Sequence, residues 1–288
     1  MDFYHSSRIA CSDYYLLRNF YGRDLGGERY FEWKHRKDTA LNNKKRVIYC
    51  EDNGEKIGII FTTQYQFSSN HGSLTVNLIG DLGVNDSIKS PSLVKNLLLS
   101  AHCFESDASL CFSDDRKIAI YNAIFKRNLN TINQNIAYED VTIITFSTDQ
   151  AYTTCPLDKV DFQKFRNHLG RSKDKNYLSY LEKHPCYRDV LAIQNTQFTA
   201  ILGVTDDFVE VLDISGTSNE HFLWAIRASN AFHEVCKILL PRSRTALLCH
   251  ATGEFIETKP LNLMVSWYTE AKYTFDIDNT WICRLDRR

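Results

Sequence analysis

Apolar positions recur at helical spacing over residues 12–36, where Tyr14, Leu17 and the pair Phe20-Tyr21 form one stripe. Gly22 and Gly26-Gly27 interrupt this helix, and Tyr30, Phe31 and Trp33 predict a second, short one. Polar residues over 37–45 predict a loop. The pattern then changes to strands at 47–50, 57–65 and 74–84, with turns at Asn53-Gly54 and at Asn70-His71-Gly72. A polar loop over 85–92 leads into an apolar helix over 93–104. A strand at 110–112, a helix over 114–126 with Ile118, Tyr121, Ile124 and Phe125 on one face, and a closing strand at 141–146 complete the first half.

The second half repeats this order. It predicts helices at 162–169 and 177–181, strands at 190–194, 198–204 and 208–214, a helix at 223–232, and short strands at 235–240 and 246–250. Tyr30-Phe31-Glu32-Trp33 precedes the first meander as Tyr177-Leu178-Ser179-Tyr180 precedes the second. Ile79-Gly80-Asp81-Leu82-Gly83 closes one meander as Leu212-Asp213-Ile214-Ser215-Gly216 closes the other. Such self-similarity marks duplicated units. The 288 residues therefore read as an α+β protein of two tandem domains, 1–150 and 151–288. Each is a mixed, mostly antiparallel sheet flanked by helices.

Composition narrows the function classes. Hydrophobic residues make up 43% and charged residues 24%, which excludes a disordered chain. Lys+Arg 34 against Asp+Glu 35 lacks the basic surplus of a protein held on nucleic acid by phosphate contacts. No run of eighteen apolar residues occurs, so no membrane helix is expected. Met1-Asp2-Phe3-Tyr4-His5 shows no secretory pattern. The expectation is a cytoplasmic protein with no membrane or nucleic-acid partner. The nine cysteines are scattered without a C-x-x-C pair, so they read as reduced, half-buried residues, and no metal site is expected. His102-Cys103 cannot form a catalytic pair, because adjacent helix residues point about 100° apart. Asp276-Ile277-Asp278-Asn279 lacks the later Gly and Glu of a calcium loop.

The order of elements in the first half, together with Asp81-Leu82-Gly83-Val84-Asn85-Asp86-Ser87-Ile88-Lys89-Ser90-Pro91-Ser92-Leu93-Val94, resembles the GNAT acyltransferase superfamily. Its members carry a strand ending in Val, a loop with an Arg-Gly-x-Gly core, and a helix. Val84 falls on the strand-end Val, Lys89 on the Arg, Ser90 and Ser92 on the two glycines, and Leu97-Leu98 on the apolar helix pair. Residues 121–129 loosely match the family's following helix. The whole chain resembles tandem GNAT proteins of bacterial surface-polysaccharide gene sets (O-antigen, lipopolysaccharide, capsule). It is most like sugar N-acyltransferases that modify a nucleotide-linked, dTDP-type 3-amino-3,6-dideoxyhexose. That narrower likeness rests on Tyr30-Phe31-Glu32-Trp33-Lys34, Ile79-Gly80-Asp81-Leu82-Gly83-Val84 and His184-Pro185-Cys186-Tyr187-Arg188.

The resemblance implies a coenzyme A thioester as co-substrate, bound through Leu82, Gly83, Val84, Lys89, Ser90, Ser92 and Leu93. Replacing both loop glycines restricts the approach of the backbone to a pyrophosphate, and Pro91 removes an amide. The helix N-terminus can still offer N–H groups, and Lys89 offers charge. The second half has no such loop after Gly216, which implies a partner domain that completes the acceptor cleft without binding coenzyme A.

Acyl transfer to an amine requires a base for its proton and a donor for the developing oxyanion. Asp81 is the candidate base, against the alternative that it only orients the loop. Tyr121 is the candidate acid for the leaving thiolate, against plain packing on a helix face. Tyr30, Trp33 and His71 are candidates for gripping the acceptor, with core packing as the competing role. Aminoacyl transfer to a cell-wall precursor and a non-catalytic GNAT-like binding protein are the other functions considered. Two domains can satisfy internally the pairing that single-domain relatives make as dimers, which favours a monomer.

Overall fold

The computed structural model describes residues 1–24, 26–37, 44–69, 72–88, 90–102, 105–146, 150–165, 170–171, 173 and 175–268. Three long strands lead the first half: β2 (Lys45–Asp52), β3 (Glu55–Ser69) and β4 (Gly72–Val84). Asn53 and Gly54 join β2 to β3 with φ of 51° and 81°, the positive angles that a two-residue hairpin demands. A strand not anticipated from sequence, β1 (Asp2–Ser6), pairs with the outer side of β2. Helix α3 (Pro91–Ser100) crosses from β4 to β5 (Ala108–Ser113), which lies parallel to β4. Helix α4 (Asp115–Leu129) and strand β6 (Ile132–Thr145) follow.

Two helical layers sandwich this sheet. Leu93 and Leu97 of α3 and Phe125 of α4 pack on Ile57, Ile60 and Ile79. On the opposite face, Leu17 of α1 (Ser12–Tyr21) and Phe31 of α2 (Gly27–Phe31) pack on Ile59 and Phe61. A π-helical turn, Glu32–Lys37, continues α2. Ile59, Ile60 and Phe61 alternate between the faces by the two-residue period of a strand, and Ile57 joins the face of Ile60 because the β2–β3 register shifts by one residue between Cys50 and Glu51.

The second half runs β7 (Thr153–Cys155), β8 (Gly170–Arg171), α5 (Lys175–Glu182), β9 (Asp189–Gln194), β10 (Thr199–Val204), β11 (Val209–Ile214), α6 (Asn219–Ser229), β12 (Val235–Pro241), α7 (Arg242–His250) and β13 (Gly253–Trp267). Two expectations are corrected. Residues 246–250 lie in α7, where Leu248 is buried and Leu247 exposed; so short an apolar run does not distinguish helix from strand. Of the segment 162–169 expected to be helical, the described part, Phe162–Phe165, is a 3-10 turn, and 166–169 lie outside the described residues.

The sheet order among the described residues is β1-β2-β3-β4-β5-β13-β6-β12-β11-β10-β9-β7, with β8 pairing on β3. The order contains an exchange. Strand β13, the last of the second half, pairs with β5 of the first. Strand β6, the last of the first half, pairs with β12 of the second. The two exchanged strands pair antiparallel with each other along nearly their whole length. A division near residue 150 thus separates the order of elements but not the sheet.

The repeated aromatic segments meet at the seam between the halves. Trp33 stacks on Tyr180 with ring centroids 4.1 Å apart and planes 10° apart, and its Nε1–H donates to the Tyr180 carbonyl at 2.9 Å. His184 lies against the other side of this cluster, 4.0 Å from the Trp33 ring. Trp33 is 2% exposed. Trp33→Ala is expected to destabilise the chain by about 3–5 kcal/mol, read as a lower urea midpoint. A loss under about 1 kcal/mol would contradict this structural role.

Candidate functional site

The parallel ladder of β4 and β5 ends at Ile79–Cys111, and β4 runs on to Val84. Just past that point β4 is bulged. Between the pairs Phe61–Gly80 and Ile59–Gly83, one residue of β3, Ile60, faces both Asp81 and Leu82. Asp81 adopts φ of 48°, and a bulge of this kind leaves one residue outside the ladder. Gly83 lets α1 close on the bulge, because a Cβ there would stand 2.9 Å from Leu17 Cδ1.

The splay opens a cavity of about 710 Å³. Residues 80–84 form its floor. Val94, Leu98, Ile120 and Tyr121 line it on the α3/α4 face, and Phe20, Tyr21 and Arg23 line it on the α1 face. The cavity therefore passes through the sheet between its two helical layers.

The Asp81 carboxylate is held from the α1/α2 side. Lys34 Nζ lies 2.6 Å and His35 Nε2 2.8 Å from the same oxygen, Oδ2. The π-helical turn makes this convergence possible. It winds more residues per turn than an α-helix, so neighbouring side chains diverge by less than the usual ~100°. Burial alone would raise the carboxyl pKa, but the Lys34 charge and the His35 hydrogen bond outweigh it and hold the group well below the ordinary carboxylate range. Burial pushes His35 down despite the pull of Asp81, so His35 is neutral near pH 7 and donates its Nε2–H to the carboxylate.

Two phenols and a thiol of the cavity keep their protons. Burial first, then Cys111 and Tyr21, pushes the Tyr121 phenol far above its usual range. Burial and the Asp81 charge do the same to Tyr21. Burial pushes the Cys111 thiol up to about 12.

At the start of α3, Ser90 is the N-cap, and its hydroxyl accepts from Leu93 N–H at 3.2 Å while lying 3.0 Å from the Ser92 hydroxyl. Pro91 has no N–H. Of the first three helical residues, only Ser92 keeps an N–H that is neither absent nor taken by the cap, so the terminus has less capacity for an anion than the loop resemblance implies. Leu93 is fully buried in the core and its amide is taken by the cap. Lys89 lies outside the described residues, as does His71.

The structure therefore brings Asp81, Leu82, Gly83, Val84 and Tyr121 together around one cavity. Ser90 and Ser92 stand at the start of α3, which forms its roof. Tyr30 and Trp33 are elsewhere: Tyr30 stacks on Trp33 at 5.7 Å, and both pack at the seam between the halves. Their spacing did place them together, but the apolar surface facing them belongs to α5 and not to the cavity. Lys34, His35, Tyr21, Arg23 and Cys111 were not singled out from sequence. The only available signal was the Lys34-His35 pair directly after the aromatic run.

The second half carries a corresponding irregularity. Strand β11 is bulged opposite Ile201/Leu202, and Asp213 beside the bulge bonds Lys173 at 2.7 Å with its side chain fully buried. Here the acid–lysine pair is sealed inside, and in the first half it faces a cavity. At Gly216 an added Cβ would lie 2.0 Å from His221 Nε2, so that ring fills the space above the loop. Among the described residues no cluster of three or more His, Cys, Asp or Glu side chains could hold a metal ion.

No family model matches the sequence. No curated protein matches it either. Solved structures do share its fold. A protein of Pyrococcus horikoshii proposed as an acetyltransferase superposes with a TM-score of 0.61 at 9% identity, covering 98% of this chain and 94% of its own. A conserved Enterococcus faecalis V583 protein, a probable N-acyltransferase, gives 0.58 at 11% identity over 92% and 71%. A GCN5-related N-acetyltransferase of Kribbella flavida gives 0.57 at 11% identity over 92% and 70%. At such identities the likeness is one of fold.

Proposed function

We propose that this chain is an acyl-CoA-dependent N-acyltransferase. The observation that carries the reading is the cavity that crosses the sheet at the bulged splay of β4 and β5, with Asp81 on its floor and Tyr121 on its wall. The thioester enters from the α3/α4 face, its pantetheine arm along Leu82, Gly83 and Val84, with Ser90 and Ser92 near the phosphates. The amine enters from the α1 face, where the Asp81 carboxylate attracts its cationic form.

The neutral amine attacks the thioester carbon and forms the C–N bond. Backbone N–H groups at the bulge stabilise the oxyanion. In the tetrahedral intermediate the nitrogen is far more acidic than in the free ammonium, so even a weakly basic carboxylate such as Asp81 takes its proton. The C–S bond then breaks. The Tyr121 phenol, too weak an acid to transfer its proton outright, donates a hydrogen bond to the departing sulfur, which is protonated afterwards from solvent.

The acceptor in this reading is the amino group of a nucleotide-linked amino-dideoxy sugar destined for surface polysaccharide, acylated in the cytoplasm by a monomer. Two sequence pieces behind that resemblance, 30–34 and 79–84, converge on the cavity through Lys34 and Asp81, which supports it. The capped start of α3 favours a second reading, a non-catalytic binding protein of the same fold.

Thiol release from acyl-CoA in the presence of a nucleotide-linked 3-amino sugar tests the first reading. Thermal stabilisation by coenzyme A without thiol release supports the second. No stabilisation by coenzyme A, acetyl-CoA or longer acyl-CoAs sinks the first. Ser90→Gly is expected to cost only a few tenths of a kcal/mol in stability while freeing the Leu93 N–H, and so to lower the Michaelis constant for acyl-CoA. An unchanged constant would remove this helix terminus from the site.

A further inference from the structure

The cations around the cavity are not alike. Lys34 is bound to Asp81 at 2.6 Å, and Lys117 to Asp114 at 3.0 Å. Arg23 also lines the cavity, and it has no carboxylate partner among the described residues. It follows Gly22, whose φ of 62° ends α1, and it is exposed while lining the cavity. Its neighbours Phe20 and Tyr21 line the same wall.

The face matters. The start of α3, where a coenzyme phosphate would sit, belongs to the opposite helical layer. Arg23 belongs to the α1 layer, on the side of Asp81 from which Lys34 and His35 reach it. A second cavity of about 410 Å³ adjoins on the α1 face, sharing Phe20 and Asp86 with the first and extending past Asn19 to Lys56. The α1 side therefore offers an anion for an amine, a guanidinium that no described carboxylate pairs, and room between and beyond them for a body larger than a simple amine.

We infer that Arg23 is the anion-recognising residue of the acceptor site, and that the acceptor is an amine carrying a phosphate or diphosphate group. This rests on the acyl-transfer reading for the role of the amine. A guanidinium suits such a group because its planar fork donates two parallel hydrogen bonds to phosphate oxygens. Asp81 and Arg23 together select a zwitterionic acceptor: each charge of the acceptor meets its opposite, and a simple cationic amine leaves Arg23 unanswered.

Calorimetric titration of the full chain with thymidine diphosphate, alone and with saturating coenzyme A, provides the test. Wild type binds the diphosphate in both conditions. Arg23→Gln weakens that binding by about 10- to 100-fold, Arg23→Lys by less, and coenzyme A affinity stays within about twofold in both variants. Absence of diphosphate binding to wild type overturns the inference. So does equal binding to Arg23→Gln, displacement of the diphosphate by coenzyme A, or a loss of coenzyme A affinity in step with it. If coenzyme A fails to bind wild type, the acyl-transfer reading falls, while the diphosphate titration still decides the role of Arg23.

Discussion

Asp81→Asn is expected to lower kcat by about 100- to 10,000-fold, the span of a lost general base, with coenzyme A affinity unchanged. The carboxylate is the one anionic group on the cavity floor that the α1/α2 layer holds in position, at 2.6 Å from Lys34 and 2.8 Å from His35. The amide of Asn keeps the shape but neither attracts an ammonium nor accepts a proton. The exchange also removes the Asp81 carboxylate from the Lys34 charge, 16% exposed, at a cost of up to about 3 kcal/mol. Lys34→Met in the Asp81→Asn background restores that stability and not the activity, which separates the two effects. An Asp81→Asn enzyme with full kcat would remove Asp81 from the chemistry.

The pH dependence follows from the same contacts. The folded-state pKa of Asp81 is depressed, so its stabilising contribution is complete above the unfolded carboxylate value of about 3.9 and is lost only as pH falls through the lower folded value. Between pH 5 and 8 Asp81 stays ionised. The rate should rise with pH across that range because the acceptor amine loses its proton, with no added limb from Asp81. A bend in the rate profile near pH 5 that disappears in Asp81→Asn would contradict this.

The fragment 1–150 is expected not to fold alone. Its sheet would lack β13, which fills the space between β5 and β6 and pairs with both. Leu263, Met264 and Val265 are fully buried there. Met264 belongs to the same core cluster as Leu93, Leu97, Cys111 and Tyr121, beneath the cavity. Removing β13 would leave two bare strand edges and an opened core, a combination that favours aggregation over a cooperative fold. Co-expression of 1–150 with 151–288 should recover a complex that melts as one unit. A monomeric 1–150 with its own cooperative transition would show that the exchanged strands are dispensable.

Most of the first half was legible in the sequence because its signals are local. Asn53-Gly54 specifies a turn by itself, and the spacing of Ile118, Tyr121 and Phe125 specifies a helix face. The likeness of Tyr30–Trp33 to 177–180 was visible for the same reason, and the two segments meet in the fold. The exchange of β6 and β13 was not, since which strand lies beside β5 is decided by pairing across about 150 residues, and no local pattern encodes a partner. The site divided along the same line. Asp81, Leu82, Gly83 and Val84 are contiguous and sit on one bulge. The aromatic character of Trp33 was visible, but its partner Tyr180 comes from the other half and decides its role. Lys34 and His35 matter only because a π-helical turn aims both at one carboxylate, a geometry that adjacency in the chain does not announce.

Hydrogen exchange of the full chain with and without saturating coenzyme A tests the central claim most directly. Binding at the β4/β5 splay predicts slower exchange over 80–94 and 111–121, with 209–221 of the second half unchanged. Protection centred on 209–221, or none in either half, would contradict it.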